Sequence, residues 1–409
     1  MIDILKILAV FSAILILLRL KWNVGYVLMA ASGLLALLYL MPVAAAVSTV
    51  VSAVVDPVTV KLFLALTLIR VLEMVLRENQ VLAKMTEATR NILRNKKAVI
   101  ISMPLLIGLL PSLGGAYFSA PMVEESTRGL RMSPEEKGFI NYWYRHPWEY
   151  VLPLYPGILL ASAITNLPLR SLILANAAYA VVIFISGFLF SMRGVGGRFG
   201  QPGRLPEASP DGSADHPANP WGLLMSFSPV VVVLVLVIGL HVELHIALAI
   251  TVMLLFLFYR PGIRDIGRIL KQGFALDVPV LIFGTMLFKF TMENSGAVGR
   301  LSAYFTELGI PLLPVFVILP FMTGILTGIT VGFVGSTFPL LISLAGGAHL
   351  AEITLAFASG FVGVLLSPVH LCLVLTREYF KADMWGIYRK TMPACGIVMA
   401  SALAMYAAF

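Results

Sequence analysis

The chain has 409 residues, 59% of them hydrophobic and 12% charged, with mean hydropathy +0.93 and a formal net charge of +8. A soluble domain of this length does not carry so much apolar surface on so little charge, which excludes a soluble fold and points to a lipid bilayer as solvent. The basic excess is read as positive loops on a cytoplasmic membrane face rather than as a nucleic-acid surface.

Taken in chain order, apolar runs near bilayer-crossing length fall at Ile4–Leu18, Val24–Met41, Val60–Leu76, Leu172–Phe190, Leu223–Leu240, Ile246–Phe258 and Ala394–Phe409. A spanning helix needs roughly 20 largely apolar residues. The first run lacks a basic leader and a small-residue cleavage site, so it is expected to be a retained span. After Pro42 comes Val43–Val55, and after Pro261 comes Gly262–Phe274. Both are expected as helices lying at the membrane interface, the second being plainly amphipathic and basic. The stretch Met192–Asn219 is rich in Gly, Pro and Ser and reads as a cytoplasmic linker, 193–220.

That linker separates two halves, 1–192 and 221–409, that echo one another. Pro42 corresponds to Pro261, and Asp56-Pro57-Val58 to Asp277-Val278-Pro279. Arg70 and Glu73 correspond to Lys289 and Glu293, Ser119-Ala120-Pro121 to Thr337-Phe338-Pro339, and Pro153 to Pro368. Paired halves with interrupted apolar helices in matching places are the signature of a secondary transporter. If 98–130 and 310–345 are re-entrant hairpins, nearly all Lys and Arg outside the spans gather on one face, leaving only Lys6, Arg170 and Arg300 opposite. Ordinary crossings would send the Arg193–Arg204 and Arg260–Lys271 loops to the wrong side, so the positive-inside bias selects hairpins. The expectation is an all-α polytopic membrane protein of two inverted-topology repeats, with about 10 transmembrane helices and two re-entrant hairpins. Both termini then lie outside the cytoplasm, and broken helices follow the hairpins at 139–165 and 352–376.

Backbone that leaves the helix inside hydrocarbon survives only against protein or a water-filled cavity. Four stretches have that character: Pro111–Gly115, Pro153–Gly157, Thr327–Thr337 and Ser367-Pro368. Half-helix ends meeting near midplane present N–H donors to an anion and carbonyls to a small cation. The expected solute-binding residues are Ser112, Gly114, Gly115, Tyr117, Ser119, Pro153, Tyr155, Pro156, Thr327, Thr330, Gly332, Ser336, Thr337, Ser367 and Pro368. Small-residue packing between helices is the plainer role open to any single Gly or Thr among them.

Arg145, His146 and Glu149 precede Pro153 and are candidates for ion coupling, His146 as a proton carrier and Arg145 as partner to a solute carboxylate or to Glu149. Trp143, Tyr144 and Trp148 read as an interfacial aromatic belt. Arg70 with Glu73 and Lys289 with Glu293 suit intrahelical ion pairs, with Glu73 and Glu293 also open as titrating groups and His370 as a second proton site. Cys372 and Cys395 support neither a disulfide framework nor a cysteine metal site. No His-Glu-x-x-His or Gly-x-Gly-Asp motif occurs, so an intramembrane enzyme is not expected.

At these residues the chain resembles the ion transporter superfamily of gluconate, citrate and dicarboxylate permeases and of arsenite and sodium/proton carriers. Gly108–Val123 is similar to the Pro-led hairpin of gluconate-type permeases, and Tyr150–Gly157 to their Pro-Pro-His-Pro-Gly interruption. Thr327–Pro339 is similar to their second, Gly/Ser/Thr-rich hairpin. The whole chain most resembles a family of uncharacterised prokaryotic integral membrane proteins within that superfamily. The resemblance implies an elevator mechanism, in which a transport domain holding both hairpins slides past a scaffold, and a homodimer. The chain departs from it in three ways. Gly114, Gly115 and Ala116 leave no acidic residue in the first hairpin, the Ser-Asn-Thr triplets of dicarboxylate carriers are absent, and Tyr155 stands where the gluconate family often has His. The expected function is secondary active transport of a small anionic organic solute driven by a proton or sodium gradient, with a cation/proton antiporter as the alternative. No cofactor is expected, a bound sodium ion apart.

Overall fold

The computed structural model describes residues 2–81, 84, 85, 89, 93, 95–111, 115–191, 220–297 and 311–408, with side chains left aside at 96 and 220–226. Among these the secondary structure is helical, with no strand. The first half runs α1 (Ile2–Arg19), α2 (Val24–Leu38), α3 (Val43–Val55), α4 (Pro57–Glu78), α5 (Lys96–Ile107), α6 (Gly115–Ser126), α7 (Pro134–Trp143), a 3-10 turn (Pro147–Tyr150), α8 (Pro156–Thr165) and α9 (Leu169–Ser191). The second runs α10 (Pro220–Leu234), which loosens into a π turn (Val235–Gly239), then α11 (Leu244–Tyr259), α12 (Ile263–Gly273) and α13 (Asp277–Asn294). It ends with α14 (Leu313–Thr327), α15 (Thr330–Ala345), α16 (Leu350–Leu365), α17 (Leu371–Phe380) and α18 (Met384–Ala408). The expected linker falls almost wholly outside the described residues.

Local chemistry explains where these helices start. Asp56 caps α4, its carboxylate accepting from the N–H groups of Val58 and Thr59, while Pro57 takes the first helical position, where no donor is needed. Ser133 and Glu136 form a reciprocal capping box on α7. Asn23 caps α2 and Asn95 caps α5. Three helical stretches are long and apolar enough to cross a bilayer: Leu169–Ser191, Ile263–Asn294 and Met384–Ala408. The others are shorter, or carry charge as α4 does with Lys61, Arg70, Glu73, Arg77 and Glu78. An apolar, helical chain with such stretches is compatible with a membrane protein.

The two halves are packed through one another. α3 lies on α13, and α12 lies on α4. Asn294 Nδ2 donates to Thr49 Oγ1 (3.0 Å) at the first contact, and Arg268 meets Glu78 (3.0 Å) at the second. Arg70 reaches Asp277 at the start of α13 through a two-pronged pair of 2.7 and 2.5 Å. This corrects the expected Arg70–Glu73 pair: Glu73 instead accepts from Arg77, one turn further along α4 (2.7 Å). Lys289 likewise turns from Glu293, which is exposed, to the end of α8, donating to Ala163 O (3.2 Å) and Asn166 Oδ1 (3.4 Å). In both cases a neighbouring helix end offers better-placed oxygen atoms than the same helix does.

α2 and α13 touch backbone to backbone. A Cβ placed on Gly284 would lie 2.2 Å from the carbonyl oxygen of Gly25, and one on Gly25 would lie 2.3 Å from that of Val280. Close approach of this kind needs residues without side chains. Gly284→Val is therefore expected to destabilise the protein by about 3 kcal/mol or to prevent its accumulation. Gly33→Ala, on the same α2 with nothing within 4 Å of the added Cβ, should leave the melting temperature in detergent within a degree or two of the parent. Equal melting of the two variants would refute this packing.

Candidate functional site

Four helix interruptions meet. α5 ends at Ile107 and α6 begins at Gly115; α7 ends at Trp143 and α8 begins at Pro156; α14 ends at Thr327 and α15 begins at Thr330; α16 ends at Leu365 and α17 begins at Leu371. An interrupted helix frees carbonyl groups that a buried site must satisfy. Here side chains from other interruptions and from neighbouring helices do so. Tyr155 OH donates to Gly108 O (2.5 Å) and Trp148 Nε1 to Leu105 O (2.7 Å), seating the 144–155 segment on the end of α5. Tyr142 OH donates to Leu365 O (2.9 Å), Tyr388 OH to Leu366 O (3.0 Å) and Ser367 Oγ to Ile325 O (2.6 Å). His370 Nδ1 donates to Gly328 O (2.6 Å), on a turn where Gly328 takes φ +64°, a conformation that favours glycine.

The chemistry gathers at the centre of this framework. His146 Nε2 lies 3.0 Å from His370 Nε2 and 3.8 Å from Glu149 Oε1. Thr330 Oγ1 donates to the other oxygen of Glu149 at 2.6 Å. Arg145, His146 and His370 are 5%, 1% and 7% exposed. Nε and Nη1 of Arg145 have no hydrogen-bond partner among the described residues, so the anticipated bond to Glu149 is not formed and Thr330 takes that carboxylate instead.

Other expected residues stand differently. Ser112 and Gly114 lie outside the described residues. Gly115 and Gly332 are buried, Pro153 is buried and Pro156 opens α8. The hydroxyls of Thr327, Ser336 and Thr337 donate to carbonyls of their own helices, at Thr323 (2.9 Å), Gly332 (2.6 Å) and Phe333 (2.7 Å). Ser119 Oγ donates to Asn141 Oδ1 (2.6 Å), and Tyr117 is exposed, edge-on to Tyr379. Pro368 is exposed; Glu73 lies on α4, paired with Arg77, and Glu293 lies in the last turn of α13. Trp143 and Tyr144 do not form an interfacial belt. Both are fully buried, with Trp143 Nε1 donating to Ile183 O (2.8 Å) and Tyr144 OH bonded to Ser191 Oγ (3.2 Å).

Sequence reading missed Asn141 and Thr376. Asn141 is fully buried, and its Nδ2 donates to Ala116 O (3.0 Å) and to Thr376 Oγ1 (2.8 Å), which ties α6, α7 and α17 together. An amide inside the apolar run Phe139–Trp143 was the available signal. Asn141→Leu is expected to cost roughly 2–3 kcal/mol, since it takes the amide from the Thr376 hydroxyl and leaves Ser119 Oγ only its longer bonds to Gly115 O (3.3 Å) and Ala116 O (3.4 Å). A double-mutant cycle with Thr376→Val, read by denaturant titration in detergent, should give a coupling of about 1 kcal/mol; strict additivity would show that the contact carries no weight.

None of the curated proteins compared with the chain matches it. A family model described as "Protein of unknown function (DUF401)" matches residues 4–408, and the chain belongs to that family.

Proposed function

We propose that the protein is a secondary active transporter of a small anionic organic solute, carboxylate-like in chemistry, working in the cell membrane. The observation that carries this reading is Arg145. A buried guanidinium with bare donors, set where four helix interruptions meet, is an expensive arrangement inside an apolar bundle unless an anion completes it. The N-terminal ends of α6, α8, α15 and α17 open at the same interruptions and add partial positive charge.

In this reading 1–192 and 221–409 are inverted repeats, the two hairpins belong to a moving transport domain, and the protein is a homodimer with both termini outside the cytoplasm. Support comes from the crosswise packing of α3 on α13 and α12 on α4, and from the contact of each post-hairpin interruption with the other through His146 and His370. A proton or sodium gradient supplies the driving force. An antiporter on the same scaffold would use Glu73, Glu293 or His146 as titrating groups; Glu73 pairs with Arg77 on α4, whereas His146 lies at the site itself.

The test is uptake into proteoliposomes with an imposed proton or sodium gradient, across a panel of carboxylates. Arg145→Met should lower uptake at sub-saturating solute about a hundredfold, equivalent to ~3 kcal/mol of lost charge-assisted hydrogen bonding. Arg145→Lys should retain part of it, and Glu73→Gln should stay within about twofold of the parent because no contact with the site is lost. Undiminished uptake by Arg145→Met, or no gradient-driven uptake of any panel member, would sink the reading.

A further inference from the structure

The two imidazoles at the centre of the interruptions face one another in an unusual state. His146 Nδ1 lies 2.6 Å from Tyr142 O, and His370 Nδ1 lies 2.6 Å from Gly328 O. A carbonyl oxygen can only accept, so each Nδ1 carries the ring hydrogen. In the neutral rings both Nε2 atoms are then bare, and these two lone pairs point at each other across 3.0 Å. Two acceptors at that separation need something electrophilic between them. Cys372, on the first turn of α17, brings a third donor atom: its Sγ and one ring nitrogen of each histidine all lie within 4.8 Å of one another.

We propose that His146 Nε2, His370 Nε2 and Cys372 Sγ form a binding site for one borderline-soft divalent transition-metal ion, of which Zn2+ is the representative. Tetrahedral zinc holds nitrogen at about 2.0–2.1 Å and thiolate sulfur at about 2.3 Å, which sets the ligand atoms roughly 3.3 Å (N to N) and roughly 3.6 Å (N to S) apart. The imidazoles need to part by only a few tenths of an ångström, and the sulfur, already within 4.8 Å of a nitrogen of each ring, needs to close to roughly 3.6 Å. The two Nδ1–H···O=C bonds are the support a metal-bound imidazole normally has, since they fix the tautomer and aim the ring. Tyr142 packs edge-on to both rings, with centroids 4.8 Å and 5.6 Å away, and restricts their rotation.

The charges that face this point agree with a dication. As the S–metal bond forms, the Cys372 thiol gives up its proton to solvent and contributes one negative charge. Glu149, with Oε1 3.8 Å from His146 Nε2, contributes the second. The ion and these two groups sum to zero, which leaves the neighbouring Arg145 guanidinium uncompensated by them. A single proton held between the two nitrogens would satisfy that pair alone, but gives the converging sulfur no role. This inference goes beyond the transport reading and does not rest on it.

The test uses the full-length protein, purified in detergent, stripped with chelator and titrated with Co2+ as a spectroscopic stand-in for Zn2+. The expected result is one equivalent bound per chain, with visible bands of tetrahedral cobalt and a near-ultraviolet sulfur-to-cobalt charge-transfer band. Cys372→Ser should abolish the charge-transfer band, whereas Cys395→Ser, at a buried thiol outside the cluster, should leave it intact. His146→Gln and His370→Gln should each weaken Zn2+ in competition by at least about a hundredfold. Unchanged melting of the metal-free Cys372→Ser variant serves as the folding control. Absence of binding at millimolar free ion, or a charge-transfer band that survives Cys372→Ser, would overturn the proposal, and neither outcome depends on solute uptake.

Discussion

Every place where a helix stops inside this apolar bundle leaves carbonyl oxygens that water cannot reach, and their satisfaction organises the rest of the molecule. Each freed carbonyl costs several kcal/mol in hydrocarbon if it is left alone. The bundle meets that cost with long side chains from neighbouring interruptions and helices: Tyr155 and Trp148 on the end of α5, Tyr142 of α7 and Tyr388 of α18 on the end of α16, and His370 on the turn after α14. The same bonds that quiet the backbone also aim the ionisable groups. His370 is oriented by Gly328 O and His146 by Tyr142 O, so the imidazole pair is a by-product of how the interruptions are capped.

Away from that centre, charge is handled by exchange between helices distant in sequence. The Arg70–Asp277 fork, the Arg268–Glu78 pair and the Lys61–Glu243 pair (2.8 Å) all join one half to the other. Each partner here is partly exposed, so these contacts set the relative register of α4, α11, α12 and α13 more than they add stability. The backbone contact at Gly25 and Gly284 fixes the same relationship sterically, and the Lys289 ammonium adds a tie to the end of α8.

The sequence made some of this legible and hid the rest for identifiable reasons. Interruptions at Pro111, Pro153–Pro156, Gly328 and Ser367-Pro368 could be read because Pro and Gly act on the local backbone wherever they stand. Partner choice could not. Arg70 has Glu73 three residues away and ignores it for a carboxylate 207 positions later, and His146 meets His370 across 224. Trp143 and Tyr144 carry the amphipathic character of belt residues, yet tertiary packing buries both completely. Candidate hydroxyls at Ser336 and Thr337 looked ligand-ready from composition alone, while their helix geometry commits each proton to a carbonyl one turn back.

The Asn141 amide joins helices from both ends of the chain, since Ala116 and Ser119 precede it and Thr376 is made far later. Until α17 is made, the first half therefore holds the Asn141 amide without Thr376 and the His146 imidazole without His370. Final packing of the first half is thus an event timed by the arrival of the last helices.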